Sequence, residues 1–185
     1  MELQEDNLLF KFKDEFWSCV LKYDERDEQR RPILSEYKKL HDSTGAKAVD
    51  FIGILEQKNL VLIEIKDFRG NEIANKVRVI SGELSIEIAT KVRDTIAAIV
   101  GANRTSETRE STCFKQYFSL LASLKKEIYV VLWCEGEFTK QFKANNYNQI
   151  KDLKTKLSWL TKKVYVSHRL DNNLAEYLTV DYLKR

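Results

Sequence analysis

The sequence predicts a single α/β domain over residues 1–185 (α+β by stricter naming), with a mixed central β-sheet flanked by helices on both faces. Two observations support this. The apolar runs Val49–Leu55 and Leu60–Ile65 flank a polar break, which is typical of a hairpin of two buried strands. Further along the chain, amphipathic segments alternate with short apolar runs, a pattern typical of helices that connect parallel strands.

The composition is that of an ordinary globular protein, with 43% hydrophobic and 32% charged residues. No apolar run is long enough to cross a bilayer, and the acidic N-terminus differs from a secretory signal, so we expect no membrane association. Cys19, Cys113 and Cys134 are scattered without CxxC spacing, which predicts reduced thiols in a cytoplasmic protein and argues against zinc. The net charge of +3 permits nucleic-acid binding without requiring it.

Before the hairpin, residues 8–23 predict two short strands, although a helix through Asp14–Tyr23 is an alternative. Pro32 suits the first turn of a helix that continues to about Leu40. After the hairpin, Ser81 suits the N-cap of an amphipathic helix for which Gly101 is the C′ residue. The core stripe of that helix is Leu84, Ile88, Val92, Ile96 and Ile99.

The second half of the chain predicts a helix over Arg109–Lys125 whose core face is Phe114, Phe118, Leu121 and Leu124. Ile128–Cys134 is a buried strand that we expect to lie parallel to the second hairpin strand. The pattern repeats with a helix over about Asn146–Leu160 and a strand over Lys163–Ser167. Asn172–Leu183 is predicted to close the chain as a short helix.

Three ionisable residues, Asp50, Glu64 and Lys66, interrupt the apolar hairpin. Because strand side chains alternate between faces, Glu64 and Lys66 share one face. A carboxylate inside an apolar strand is costly unless it is paired or bound to a metal. The alternative is a surface pair on an edge strand, with Asp50 bonded to the backbone. The apolar character of both faces favours a covered hairpin and a functional site.

Asp50 followed by Glu64-Ile65-Lys66 resembles the D…(D/E)xK signature of the PD-(D/E)xK nuclease superfamily, with Val49 in the place of the motif's proline. The resemblance covers residues 46–101 best and implies a restriction-endonuclease-like core. It implies that Asp50, Glu64 and the backbone carbonyl of Ile65 bind Mg²⁺ (or Mn²⁺). It also implies that Lys66 orients the attacking water and offsets charge on the phosphorus.

The function that this resemblance implies is Mg²⁺-dependent hydrolysis of phosphodiester bonds in nucleic acid, with DNA as the expected substrate. The alternative is a catalytically silent nuclease-like fold that serves as a nucleic-acid-binding or interaction subunit in a defence or repair complex. A third hypothesis is an unrelated α/β domain in which the acidic residues of the hairpin have only a structural role. Whether the chain forms a homodimer or joins a partner subunit stays open.

The superfamily also suggests auxiliary residues. Members often carry a further metal-site acid on an early helix, for which Glu36 is the first candidate and Asp24 the second; both also fit ordinary solvated acids. On the helix after the motif strand, Lys91 and Glu87 are candidates to support the site or touch phosphate. The alternative for these two is an i,i+4 pair that contributes a few tenths of a kcal/mol.

Candidate nucleic-acid contacts are Arg69, just after the motif strand, and Lys154, Lys156 and Lys162 in a basic stretch over residues 139–170. Lysines interleaved with aromatic residues suit a phosphate backbone. A lysine-rich solvated helix face is the alternative.

The hairpin register supplies a geometric prediction. If Leu55 opposes Leu60, Asp50 projects away from Glu64 and Lys66; if Leu55 opposes Asn59, all three share one face. A metal site therefore requires an odd-length turn, such as the three-residue turn that the Leu55–Asn59 pairing leaves, or a bulge. We therefore predict that the carboxylates of Asp50 and Glu64 lie close enough to share one cation, on the face of Lys66.

Overall fold

The computed structural model describes residues 1–29, 34–69, 78, 81–105, 111–136 and 140–183. Within these ranges the chain forms eight strands and four helices. In chain order they are β1 (Glu2–Glu5), β2 (Leu8–Phe12), β3 (Trp17–Lys22), α1 (Ser35–Thr44), β4 (Phe51–Leu55), β5 (Asn59–Asp67), α2 (Glu83–Thr105), α3 (Ser111–Leu121), β6 (Glu127–Glu135), α4 (Lys140–Lys156), β7 (Val164–Ser167) and β8 (Leu178–Tyr182).

The central sheet has five strands in the order β3-β4-β5-β6-β7. The three strands β3, β4 and β5 are antiparallel neighbours, whereas β6 is parallel to β5 and β7 is parallel to β6. The prediction of a mixed sheet is confirmed, as is the parallel addition of the strand at 128–134. Strand β5 lies in the middle, hydrogen-bonded on both sides.

The layers around this sheet differ from the prediction that helices cover both faces. Residues of all four described helices pack on one face, against alternate strand residues such as Leu62 and Leu132. The opposite face carries Ile63 and Trp133, and it is covered by a three-stranded sheet in the order β1-β2-β8. The prediction was wrong because the two ends of the chain supply strands to this second layer.

Strand β8 replaces the predicted closing helix at 172–183. Its side chains alternate between buried Leu178 and Val180 and exposed Thr179 and Asp181, which is the period of a strand with one covered face. It pairs antiparallel with β2. The two short strands predicted over residues 8–23 are confirmed, and the alternative helix there is wrong.

The four other predicted helices are present, but each begins or ends at a different residue from the one predicted. Helix α2 continues to Thr105, so Gly101 lies inside it and is not the C′ residue. Helix α3 ends at Leu121, which leaves the predicted core residue Leu124 fully exposed. Pro32 lies outside the described residues. Helix α1 ends at Thr44 and is followed by Gly45, whose φ of 68° fits a glycine cap. Among the described residues, no helix combines the length and the apolar character needed to span a membrane.

A disulfide joins Cys19 of β3 to Cys113 of α3, with their Cα atoms 5.4 Å apart, and Cys134 is free and buried. The prediction of reduced thiols is therefore wrong for two of the three cysteines. The pairing spans 94 residues of sequence. The fold brings the two together by packing α3 against the strand that precedes the hairpin.

Candidate functional site

The register of the β4–β5 hairpin determines which side chains share a face. Leu55 pairs with Asn59 and Phe51 pairs with Ile63, across a three-residue turn. Glu56 and Gln57 in this turn have φ values of 51° and 57°. Continuing the register by one residue places Asp50 opposite Glu64, on the same face as Lys66. The odd-length turn that the metal-site prediction requires is therefore present.

Asp50 lies just before β4 and is held by the backbone around it. Its Oδ2 atom accepts a hydrogen bond of 2.6 Å from the backbone N–H of Ile65. Its own carbonyl accepts a hydrogen bond from the N–H of Tyr23. Burial raises the pKa of Asp50, while the ammonium of Lys91 and the bond from Ile65 oppose that shift. The carboxylate is thus fixed beside the second motif strand.

Glu64 is completely buried at the centre of β5. Its Oε1 atom lies 2.8 Å from the Nζ atom of Lys66 and 2.7 Å from that of Lys91. The Nζ atom of Lys91 also lies 3.5 Å from Oδ1 of Asp50. The two carboxylates therefore share one cation, the Lys91 ammonium, on the face of Lys66. The prediction that both carboxylates lie on the face of Lys66 is confirmed, and Lys91 joins the site.

Glu87 extends this network along α2. Its Oε1 atom lies 3.0 Å from the Nζ atom of Lys66, and its Oε2 atom pairs with Arg78. Carboxylates and cations thus alternate from Asp50 to Arg78. The interpretation of Glu87 and Lys91 as a mutual i,i+4 pair is wrong, because each contacts β5 instead. Arg78 was not predicted, since nothing in its sequence neighbourhood distinguishes it.

The electrostatics of the site are dominated by burial. Burial, followed by the charge of Asp50, raises the pKa of Glu64 from its ordinary 4.5 to about 7, against the opposing effects of Lys91 and Lys66. Burial alone would lower the pKa of Lys91, but the carboxylates of Glu64 and Asp50 outweigh it and the net shift is upward. Lys91 therefore stays protonated, while Glu64 can exchange a proton near neutral pH.

Two carboxylates are available for a metal. Among the described residues there is no group of three or more His, Cys, Asp or Glu side chains placed to hold one. Mg²⁺ is usually bound by one or two carboxylates and keeps several waters, so Asp50 and Glu64 suffice chemically. The fully buried Oε1 of Glu64 accepts no regular hydrogen bond from the described residues, although two ammonium groups lie close. The residues present thus fit a hard cation in ligand type, and such an ion would compete with the Lys91 ammonium for both carboxylates.

The auxiliary acids have different positions. Asp24 forms an ion pair of 2.7 Å with Arg26, and its charge raises the pKa of both Asp50 and Lys91. Asp24 therefore lies within electrostatic reach of the site. Glu36 belongs to α1, but its side chain lies outside the described residues.

The four predicted nucleic-acid contacts separate into two groups. Arg69 lies two residues after the end of β5 and pairs with Asp67. Lys154 and Lys162 are exposed, and Lys156 pairs with Asp152 at 3.1 Å. Lys163, the neighbour of Lys162, pairs with Glu127 at the start of β6. Glu64 instead lies beside Leu132, five residues further along β6. No described contact joins these lysines to the carboxylates.

Comparison of the chain with protein-family models, with curated proteins and with solved structures finds no match. The strand register and the charges around Asp50 and Glu64 are therefore the observations from which a function can be argued.

Proposed function

We propose that this chain is a metal-dependent nuclease with a restriction-endonuclease-like core, which hydrolyses phosphodiester bonds in DNA with Mg²⁺ or Mn²⁺. The observation that carries the proposal is the hairpin register, which places Asp50 opposite Glu64 on the face of Lys66. The order of elements supports it: the antiparallel hairpin is followed by helices α2 and α3 and then by β6, parallel to β5.

In this proposal Asp50, Glu64 and the carbonyl of Ile65 hold the ion. A bound Mg²⁺ or Mn²⁺ supplies a water of lowered pKa and a counter-charge for phosphate. The N–H of Ile65 orients the Asp50 carboxylate. The ammonium of Lys66, whose side chain is 19% exposed and lies between Glu64 and Glu87, orients the attacking water and offsets charge that develops on phosphorus.

One observation favours the second candidate function, a catalytically silent nuclease-like subunit that binds nucleic acid or a partner. The Lys91 ammonium already lies within ion-pair distance of both carboxylates. A site in which an internal cation permanently takes the place of a metal would keep the fold and the surface without the chemistry.

The test is cleavage of plasmid DNA, single-stranded DNA and RNA in Mg²⁺, in Mn²⁺ and in EDTA. The variants are Glu64→Gln and Lys66→Met, which preserve side-chain size. The matched control is Asp94→Asn, because Asp94 lies on the same helix as Lys91 but pairs with Arg93. We expect metal-dependent cleavage in the wild type and the control, and at least a 100-fold loss in both site variants, the order of effect of removing one catalytic group.

Isothermal titration calorimetry with Mn²⁺ separates the candidate functions. Mn²⁺ binding that Glu64→Gln abolishes supports the nuclease. Nucleic-acid binding with neither cleavage nor Mn²⁺ binding overturns it and supports the silent subunit.

A further inference from the structure

Two arginines stack on one tyrosine at the end of the sheet where the carboxylates lie. The guanidinium carbon of Arg69 is 3.9 Å from the centroid of the Tyr182 ring, and that of Arg169 is 4.4 Å from it. We call Arg69, Arg169 and Tyr182 the arginine–tyrosine cluster. Tyr182 ends β8, and its hydroxyl donates a hydrogen bond of 2.7 Å to Glu135, the last residue of β6. The cluster thus lies at the carboxyl ends of the parallel strands.

Glu135 holds this cluster in place through hydrogen bonds, and its charge, after that of Asp67, also raises the pKa of Arg69. Its side chain is completely buried. Its Oε1 atom accepts hydrogen bonds of 2.9 Å from the indole N–H of Trp133 and from the backbone N–H of Arg169. The described donors to the carboxylate of Glu135 are therefore neutral groups that fix the Tyr182 ring and the backbone of Arg169.

The charges of the cluster are arranged with the positive groups outermost. The side chain of Arg69 is 32% exposed and pairs with Asp67, whose side chain is 11% exposed. Arg169 is exposed, and among the described residues no carboxylate lies within ion-pair distance of its guanidinium. Stacking occupies the face of a guanidinium and leaves its edge N–H groups free to donate. Such an edge matches the oxygens of a phosphate.

We propose that the arginine–tyrosine cluster binds a phosphodiester group of the nucleic-acid strand, with Arg169 as the principal contact. The inference rests on the proposed function for its ligand. Asp67 and Glu135 are paired in the register of β5 and β6, directly after Lys66 and Cys134. The cluster and the Glu64–Lys66 site therefore lie at the same ends of adjacent strands. Because Tyr182 packs on the sheet-covered face and Glu64 and Lys66 lie on the helix-covered face, a nucleic-acid strand that contacts both crosses the end of the central sheet.

The test is fluorescence anisotropy with a labelled DNA duplex in EDTA, where no cleavage is needed, over a range of salt concentrations. The main variant is Arg169→Gln, since no described carboxylate lies within ion-pair distance of the Arg169 guanidinium. The control is Lys163→Gln, which removes an exposed cation at the opposite end of β6. Neutralising one phosphate contact changes the slope of log affinity against log salt by about 0.9.

We expect Arg169→Gln to weaken binding and to reduce that slope by about 0.9, with Lys163→Gln unchanged. Arg169→Lys should keep the slope but weaken binding at every salt concentration, because it keeps the charge and loses the planar stack. Thermal melts of each variant confirm folding. A slope that Arg169→Gln leaves unchanged overturns the inference, as does a wild-type protein with no DNA affinity.

The cleavage assay makes the two proposals separable. If the protein cleaves DNA but Arg169→Gln does not change the slope of log affinity against log salt, the protein is a nuclease without this contact. A protein whose DNA binding depends on Arg169 but which never cleaves supports the contact and refutes the catalytic proposal. Inorganic phosphate serves as a competitor: Arg169-dependent binding of inorganic phosphate with no DNA affinity overturns the assignment to a nucleic-acid strand.

Discussion

Replacing Lys91 by Met tests whether the two carboxylates form a metal site or a structural ion-pair network. Lys91 is 9% exposed, and its Nζ atom lies 2.7 Å from Glu64 and 3.5 Å from Asp50. The substitution keeps the length of the side chain but leaves two buried carboxylates without the ammonium between them. Breaking a buried pair in this way costs about 3–5 kcal/mol. We expect urea unfolding in EDTA to show a loss of that order.

A divalent cation should then restore stability to the Lys91→Met protein. An ion that binds only the folded state contributes about 2.7 kcal/mol at 100 times its dissociation constant. We therefore expect Mn²⁺ or Mg²⁺ to recover most of the loss, and the double variant Lys91→Met with Glu64→Gln to show no recovery. The surface control Arg93→Met, at a side chain 65% exposed, should change stability by about 0–1 kcal/mol.

The reasoning is refuted if Mn²⁺ does not stabilise the Lys91→Met protein relative to EDTA. That result would mean that Asp50 and Glu64 require an ammonium specifically, as in a structural network. It would leave the catalytic proposal without its central feature.

Three further predictions concern pH, the disulfide and two glycines. Folding raises the pKa of Glu64 from 4.5 to about 7, so between these pH values the folded protein keeps a proton that the unfolded chain loses. The free energy of unfolding of the metal-free protein should therefore fall by roughly 3 kcal/mol as the pH rises from 4.5 to about 7. Urea titrations at several pH values check this, and Glu64→Gln should abolish the decrease. Reducing the Cys19–Cys113 bond, which closes a span of 94 residues, should lower the free energy of unfolding by about 4–5 kcal/mol, and a protein with both cysteines replaced by Ser should not respond to the reductant. Gly53→Ala should destabilise by about 1–3 kcal/mol because its Cβ would lie 3.0 Å from a side chain of β3, whereas Gly101→Ala, with open space in α2, should stabilise by about 1 kcal/mol; equal effects in thermal melts would contradict this.

The hairpin and the parallel strands could be predicted because each depends on local patterns. The apolar runs around residues 56–58 indicate two strands, and charged residues inside them can be tolerated only where they are paired. The parallel placement of β6 and β7 follows from the helix that precedes each strand. Whether the turn has an odd or an even number of residues could not be predicted from the sequence. The observed turn needs positive φ values at Glu56 and Gln57, which these residue types do not specify.

The features that were missed depend on contacts distant in sequence. Residues 178–182 form a strand because the edge of β2 is available to pair with them, which nothing near them in the sequence indicates. Lys91 contacts Glu64 instead of Glu87 because α2 packs across β5. The disulfide joins residues that only the packing of α3 brings together.

The hydrogen bond between Ile65 and Asp50 has a consequence for measurement. Strand β5 is paired along both sides, so its amides should exchange slowly with deuterated solvent. The N–H of Ile65 differs from its neighbours because its acceptor is a carboxylate side chain. Any event that draws the Asp50 carboxylate away would free this amide, whereas a cation that binds the other oxygen, Oδ1, would leave the bond in place. Hydrogen–deuterium exchange at this single position therefore reports on whether the Asp50 carboxylate keeps its place, in a protein that is otherwise untouched.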